Sequence, residues 1–514
     1  MSGILYGNLR IDIVDDAGDR VERTTLRLPP PRLSLRQTRP KVQAPALLLG
    51  RAEQIDEARQ AIQAQRPVGF TAPCGFGKSA LLRQAAANAV AGDIAGQCVF
   101  LQVGSHDVAD LLQRLVDELY TADHPVKATP EQCAQLLGQV QAVILLDDVL
   151  LDPGQIEHLI LVLPGCSLVL GSPRPVLGRH GSSLILAGLP DDAALELVTR
   201  DLGRAITSQE LPAVKRMVAA VEGQPLHLRQ AAALAREDEM SFAVLAKKAE
   251  HDPEVLDRLS VNALAEHERR ALAVLALVAG ALLPEELVAA MGDIAQIGEC
   301  LGLLHRRGLA DRQDDRFGLP ICKVESYRQM LLKDLQLAAA FREFGSWLAN
   351  QDPTSEESRS ALGAALAVIG FAADRGDWRA VARLVRVVEP ILTLAGRWEA
   401  CRHALDLGLQ AAKALGDRAA EAFFSHQQGT LALCQDELDA AKRFLEQALD
   451  LRQQLGDGSG AAVTQHNLQL LQPPPPPPPR RWPPKRLRRL TVVAAGGVDG
   501  RPVRVHTAVV SHQH

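Results

Sequence analysis

Residues 70–81 read Phe-Thr-Ala-Pro-Cys-Gly-Phe-Gly-Lys-Ser-Ala-Leu, and within them Ala72-Pro-Cys-Gly-Phe-Gly77-Lys78-Ser79 has the form of a phosphate-binding loop. Such a loop dictates its surroundings. A buried strand must precede it and a helix must follow, so that backbone N–H groups converge at a helix N-terminus. Pro67-Val-Gly-Phe-Thr supplies the strand, and a helix is expected from Ser79 to about Ala91. Gly75 and Gly77, on either side of Phe76, let the backbone curl. Lys78 places a point charge on the β- and γ-phosphates, and Ser79, followed by Ala80, offers its hydroxyl to magnesium. Ala72 stands where the strict pattern has Gly, which is tolerated if its φ is not positive. Cys74 is either a small residue that fits the loop or a site of oxidation. The ligand implied is a nucleoside triphosphate with Mg2+.

A second motif completes the first. Ala142-Val-Ile-Leu-Leu-Asp147-Asp148 is an apolar strand ending in carboxylates, and Asp147 follows Lys78 by 69 residues. That spacing leaves room for one intervening strand–helix unit and sets Asp147 beside Ser79, where it can hold Mg2+. Asp148 is placed to polarise an attacking water or to complete the metal shell. Leu168-Val-Leu-Gly-Ser-Pro-Arg174 ends the next strand with an arginine that can reach a γ-phosphate. Gly50-Arg51-Ala-Glu53 lies just ahead of the first strand, and Gly223-Gln-Pro225 lies in a helical stretch.

The rest of the chain is organised around this unit. With 514 residues it is too long for one core. Residues 4–28 alternate as a β-hairpin about Asp15-Asp-Ala-Gly-Asp, and a Pro-rich linker ends near 45. Between 46 and 189, apolar runs at 68–71, 98–103, 142–146, 167–170 and 183–187 alternate with helical stretches such as Asp107–Tyr120. That pattern predicts a parallel sheet with helices on both faces. Residues 190–253 read as all helix, with Asp191 at a capped start. Residues 254–332 combine helices with a small β-wing near 305–319, as in a winged helix. The 13-residue apolar run Ala271–Leu283 is too short to span a membrane and reads as a buried helix.

From 333 to 471 helices repeat at an offset of 40 residues. Ala414-Leu-Gly-Asp is echoed by Gln454-Leu-Gly-Asp, Trp398 by Leu438, and His426 by His466. Gly376-Asp-Trp-Arg-Ala is an earlier, degenerate member. Small residues opposite large ones predict a TPR-like (tetratricopeptide-like) α-solenoid that binds a protein partner or folds back on the nucleotide unit. It stops at Gln472 with no polar cap, leaving Leu468, Leu470 and Leu471 at an apolar end. Pro473–Pro479 and the basic Arg480-Arg-Trp-Pro-Pro-Lys-Arg-Leu-Arg-Arg open a tail, 472–514, expected to be disordered. The tail is a solvated segment, a contact for nucleic acid or acidic lipid, or a ligand for aromatic grooves.

Composition narrows the function. A net charge of −5 makes nucleic acid an unlikely general partner. Eight cysteines without a Cys-x-x-Cys pair indicate neither a zinc site nor a disulfide framework and point to a reducing cytoplasm. No basic-then-apolar signal segment opens the chain.

Taken in order, these motifs resemble the STAND class of signalling ATPases, of the NB-ARC type, over roughly residues 46–330. The resemblance implies ATP/ADP and Mg2+ as cofactors, with adenine packed by Gly50, Arg51 and Glu53, and no guanine-selective Asn-Lys-x-Asp is present. It implies that Arg174 senses the γ-phosphate and that Pro225 contacts ADP. The family's winged helix supplies a histidine to the β-phosphate, whereas here Pro320 of Phe317-Gly-Leu-Pro320-Ile-Cys stands at that place. His227, near Pro225, reads as a packed helix residue. The function implied is a slow ATPase acting as a switch, with homo-oligomerisation on ATP binding. Two rivals are an AAA+-like ATPase acting on DNA through the winged helix and a repeat scaffold with a structural nucleotide.

Overall fold

The computed structural model describes residues 9–14, 20–26, 33–36, 48–91, 97–104, 107–122, 128–435, 437–471, 493–494 and 503–504. Strands β1 (Leu9–Val14) and β2 (Arg20–Leu26) pair antiparallel with Leu9 opposite Leu26. The turn expected between them and most of the tail lie outside the described residues. Strand β3 (Leu33–Leu35) precedes α1 (Ala52–Gln63), β4 (Val68–Thr71), α2 (Lys78–Ala91), β5 (Cys98–Gly104) and α3 (Val108–Leu119). Then come β6 (Tyr120–Ala122), which pairs with β3, α4 (Pro130–Leu137), β7 (Val143–Val149), α5 (Pro153–Val162), β8 (Ser167–Ser172) and β9 (Ser182–Ile185).

Five strands form one parallel sheet in the order β5-β7-β8-β4-β9. Strand periodicity explains how both faces are covered. On β7, Ile144 and Leu146 enter the core beneath α3, α4 and α5, while Val143 and Leu145 enter the core beneath α1 and α2. Polar residues then set where helices begin. Asp107 accepts from the Ala109 N–H, and Thr129 and Asp152 form capping boxes with Gln132 and Gln155. Because the strands are parallel, the ends of β4, β7 and β8 emerge on one edge, where ligand sites of such sheets lie. The expected parallel sheet with helices on both faces, followed by a helical C-terminal region, is what the chain forms.

Helices α6 (Asp191–Leu202), α7 (Leu211–Ala220), α8 (Pro225–Glu237), α9 (Phe242–Ala249) and α10 (Val255–Asn262) pack around Leu197, Val214, Leu228 and Leu245. Asp191 does not cap α6. It is the first helical residue after Pro190, so it serves only the helix dipole.

The next unit comprises α11 (Glu266–Leu277), β10 (Leu283–Pro284), α12 (Glu285–Gly292), α13 (Ile297–Arg306), β11 (Asp311–Gln313), β12 (Arg316–Gly318) and α14 (Val324–Leu331). Its antiparallel sheet has the order β10-β12-β11. The apolar run 271–283 is not one helix. Ala279 and Gly280, at φ of 51° and 84°, turn the chain, and Leu283 joins the sheet. Apolar content alone does not distinguish a buried helix from a buried strand.

The C-terminal part is helical: α15 (Leu337–Ala349), α16 (Glu356–Ser360), α17 (Leu362–Asp374), α18 (Trp378–Leu394), α19 (Trp398–Leu415), α20 (Arg418–Cys434), α21 (Leu438–Leu455) and α22 (Gly458–Leu470). The repeated Leu-Gly-Asp now has a physical meaning. Gly416 and Gly456 end α19 and α21 in the left-handed conformation, and Asp417 and Asp457 cap the helices that follow. Gly376 and Asp377 repeat the device. Small residues do face large ones: a Cβ at Gly408 would lie 2.7 Å from the Phe424 ring, and one at Gly429 would lie 2.6 Å from Leu445 Cγ. One continuous core runs from α11 through α20. Among the described residues no single helix is long and apolar enough to cross a membrane.

Candidate functional site

Loop 72–77 leaves the carboxyl end of β4 and delivers Lys78 as the first residue of α2. Ala72 has no positive φ, so its side chain is tolerated, and its N–H donates to the Ser172 carbonyl. Gly75 and Gly77 do need glycine, with φ of 81° and 91°. At Gly75 a Cβ would lie 2.8 Å from Leu226 Cβ, whereas at Gly77 nothing lies within 4 Å. Backbone and helix N-terminus therefore face open space, as an anion cradle requires. Lys78 Nζ donates to the carbonyls of Ala72 (2.7 Å) and Pro73 (2.9 Å), which holds its charge over the loop. Burial lowers its pKa, opposed by the charges of Asp148 and Asp147.

Asp147 and Asp148 lie at the same edge, near the end of β7. Asp147 is 2% exposed, hydrogen-bonds the Ser79 side chain and accepts from the Asp148 N–H at 3.0 Å. Gly171 makes room for it, since a Cβ there would lie 2.9 Å from Asp147 Oδ1. Burial, and then the charge of Asp148, push the Asp147 carboxyl up to about 6. Asp148, at φ 51°, turns toward the cavity and accepts from Gln102 Nε2 at 3.0 Å. Arg174 is exposed and does not line the cavity.

Gly50 and Arg51 close the other side. Gly50, at φ 60°, approaches the start of α6 so closely that a Cβ would sit 2.9 Å from Ala193 Cβ. Arg51 is buried, and its guanidinium donates to the carbonyls of Phe76 (3.1 Å) and Ala187 (2.6 Å). Glu53 is exposed on the first turn of α1. Pro225 lies at the start of α8, beside residues that grip the loop. Gln224 Nε2 donates to the Cys74 carbonyl (2.7 Å), and the Leu226 N–H donates to the Gly75 carbonyl (3.2 Å).

Of these, Arg51, Gly75, Gly77, Lys78, Ser79, Asp148 and Pro225 line a cavity of about 590 Å³, within the ~300–1,000 Å³ of small-molecule sites, whereas Gly50, Glu53 and Asp147 are not part of its lining. Its walls come from the loop and from Leu48, Leu49 and Arg51, from α6 and α8, and from the β10–β12 unit through His305, Arg312 and Pro320. Arg51, Lys78, Arg83, Arg200, Arg229 and Arg312 line it, against Asp148 and Asp311, so the cavity favours a polyanion. Sequence reasoning missed Arg200, Arg229, Arg312 and His305. The one available signal was helical spacing, which puts Arg229 one turn from Pro225 on α8. His305 lines the cavity from the same unit as Pro320. Its Nδ1 faces the Ala310 carbonyl at 3.0 Å and must donate there, which leaves the neutral ring only an acceptor at Nε2. Burial lowers its pKa and favours that neutral form. His227 is buried near Glu254, a packed residue.

The cysteine expectation needs correction. Cys74 and Cys322 form a disulfide, with Cα atoms 6.1 Å apart across a sequence separation of 248 residues. No local spacing marks such a pair, because its halves belong to different units.

A second contact ties the C-terminal helices to the same unit. Asp110 of α3 accepts from the N–H groups of Glu399 (3.4 Å) and Ala400 (3.0 Å) at the start of α19. Arg397 donates to Asp117 at 3.2 Å and to the Asp110 carbonyl at 3.3 Å. Burial raises the pKa of both carboxyls and lowers that of Arg397.

No protein-family model matches the chain, and no curated protein matches it significantly in sequence. Solved structures do resemble it. A Signal Transduction ATPase with Numerous Domains (STAND) protein with a tetratricopeptide repeat sensor, from Pyrococcus horikoshii, superposes with a TM-score of 0.52 at 14% identity. The match covers 84% of this chain and 69% of that one, and it is a likeness of fold. A walker-type ATPase of Pyrococcus abyssi gives a TM-score of 0.30 at 14% identity over 55% of this chain and 96% of that one. Replication initiator DnaA bound to AMPPCP and single-stranded DNA gives 0.26 at 13% identity over 72% and 95%.

Proposed function

We propose that this chain is an adenine-nucleotide switch, a slow ATPase of the STAND kind. The observation that carries the reading is the cavity itself. A glycine loop of phosphate-binding form meets two further units there, so a ligand on the loop also sets how those units sit. Loop N–H groups and Lys78 would hold the phosphates, Gly50 and Arg51 the base side, and Pro225 the helical side. Ser79 and Asp147 would hold Mg2+, and their existing hydrogen bond supports that pairing. Bound Mg2+ supplies charge neutralisation on the phosphates. Asp148 would orient a water at its carboxylate or complete the metal shell. Arg174 would have to swing from its exposed position to sense a γ-phosphate.

On this reading residues 46–189 are the nucleotide domain, 190–253 the helical domain, 254–332 a winged helix and 333–471 TPR-like repeats, in an NB-ARC-type order. ADP favours the closed arrangement. A protein cue on the repeats loosens it, ATP enters, and the opened chains assemble. A ligand shifts such an equilibrium only by its differential affinity for the two states, and a shift from 1:99 to 99:1 needs about 5.5 kcal/mol. The repeats restrain the switch through Asp110, Asp117 and Arg397.

Small-angle scattering of the full chain tests this. With ADP the particle is compact. With Mg2+ and a non-hydrolysable ATP analogue it is larger or assembled, and Arg397→Glu, which sets two carboxylates against a third, moves the ADP form toward that state. Identical scattering in all three samples would overturn the switch.

A further inference from the structure

The structure assigns a regulatory modification site: the Cys74–Cys322 disulfide is a redox latch that clamps the phosphate-binding loop to the β10–β12 unit and gates exchange of the nucleotide. The proposal rests on the nucleotide reading above.

Position carries it first. Cys74 directly precedes Gly75-Phe76-Gly77-Lys78, and its carbonyl is held by Gln224. Cys322 sits in the 3-10 turn Ile321–Lys323. That turn is fixed by Lys323, which pairs with Glu254 (2.7 Å) and Asp257 (3.5 Å). Both cysteines line the cavity, one from the loop and one from the β10–β12 unit. Their Cα separation of 6.1 Å lies inside the ordinary disulfide range of ~4.4–6.8 Å. The bond therefore spans the route by which the third unit would move away from the loop.

Accessibility carries it next. Cys322 is exposed and Cys74 half-buried, whereas Cys98, Cys133, Cys166, Cys300 and Cys401 are buried in cores. Burial pushes the thiols of Cys98, Cys133, Cys300 and Cys401 up to about 12, which leaves them without reactive thiolate. The latch pair instead borders the cavity, where a small oxidant or reductant can reach it.

The chemistry balances with a peroxide as oxidant and a dithiol as reductant. The Cys322 thiolate attacks one oxygen of hydrogen peroxide. The O–O bond breaks, giving a sulfenic acid and hydroxide. The Cys74 thiolate then attacks Cys322 Sγ, the S–O bond breaks, and a second hydroxide leaves. With the two thiol protons this makes two waters. A dithiol reverses the bond by exchange, becoming a cyclic disulfide.

The test uses the full chain, loaded with a fluorescent ADP analogue and chased with unlabelled ADP after dithiothreitol or hydrogen peroxide. Release from the oxidised parent should be slower by roughly tenfold or more, with the 74–322 linked peptide present in a non-reducing digest. Cys322→Ser should release at the reduced parent's rate in both treatments. Equal release from oxidised and reduced parent, with the linked peptide present, overturns the latch. So does recovery of both cysteines as free thiols after peroxide. Hydrogen exchange over residues 72–80 separates the latch from the nucleotide reading. If the reduced chain binds no analogue, the nucleotide reading fails and nucleotide gating with it. Slower loop exchange on oxidation then supports the clamp, and unchanged exchange overturns it too.

Discussion

Asp147 is almost closed to solvent, which makes its charge costly and its proposed role testable. Burial and Asp148 both raise its pKa, and its hydrogen bonds from the Ser79 side chain and the Asp148 N–H offset only part of that cost. Asp147→Asn removes that buried charge while keeping an oxygen to accept from the Asp148 N–H. The variant should melt at or above the parent's temperature and still bind ADP. It should lose Mg2+-dependent hydrolysis by about 100-fold or more, since an amide is a poor Mg2+ ligand. Equal turnover with the parent would reduce Asp147 and Asp148 to turn residues. The loop 72–79 and Asp147 were legible in the sequence because their pattern is local: glycines, a lysine and a strand-end carboxylate at fixed places. Arg229, Arg312 and His305 were not, because they reach the cavity through the packing of other units. Cys322 was invisible for the same reason.

Among the elements, the helix pairs were the most readable part of the C-terminal half. The 40-residue echo maps onto real helix ends, because Gly416 and Gly456 must turn left-handed and Asp417 and Asp457 must cap. Where no such punctuation stood, the reading slipped: the run 271–283 gave no sign that it breaks into a helix and a strand. His426 of α20 shows how these helices hold together. It is buried against α22, with Nδ1 3.3 Å from Thr464 Oγ1, and burial and Arg452 push its pKa down to about 4. An unfolded imidazole titrates near 6.5, so the unfolded state takes the proton first. Stability from this site is whole above about pH 6.5 and is lost as pH falls toward 4, on the order of 3 kcal/mol in total. Hydrogen exchange over α20–α22 should therefore speed up from pH 7 to pH 4.5, after correction for intrinsic rates. His426→Gln should remove most of that acceleration. An unchanged profile in the variant would show that His426 does not set it.

At the scale of the whole molecule, three contacts tie the parallel-sheet unit to the rest of the chain. The α8 start holds the loop backbone, Cys322 holds Cys74, and the α19 start is capped by Asp110 from α3. The sequence pattern gave repeats that bind a partner or fold back on the sheet unit, but not the residues of the contact, since Arg397 and Asp117 lie 280 residues apart. All of this has a functional meaning only if the cationic cavity holds an adenine nucleotide on Lys78. Calorimetric titration of the reduced full chain with ADP, beside Lys78→Ala, tests that most directly. Lys78 bonds only the loop carbonyls of Ala72 and Pro73, so its loss should leave the fold and melting temperature nearly unchanged. The parent should bind ADP, with GDP weaker, and Lys78→Ala should lose about 2–3 kcal/mol, roughly 30- to 150-fold in affinity. A parent that gives no heat with ADP or ATP, or a Lys78→Ala variant that binds ADP as tightly as the parent, would contradict it.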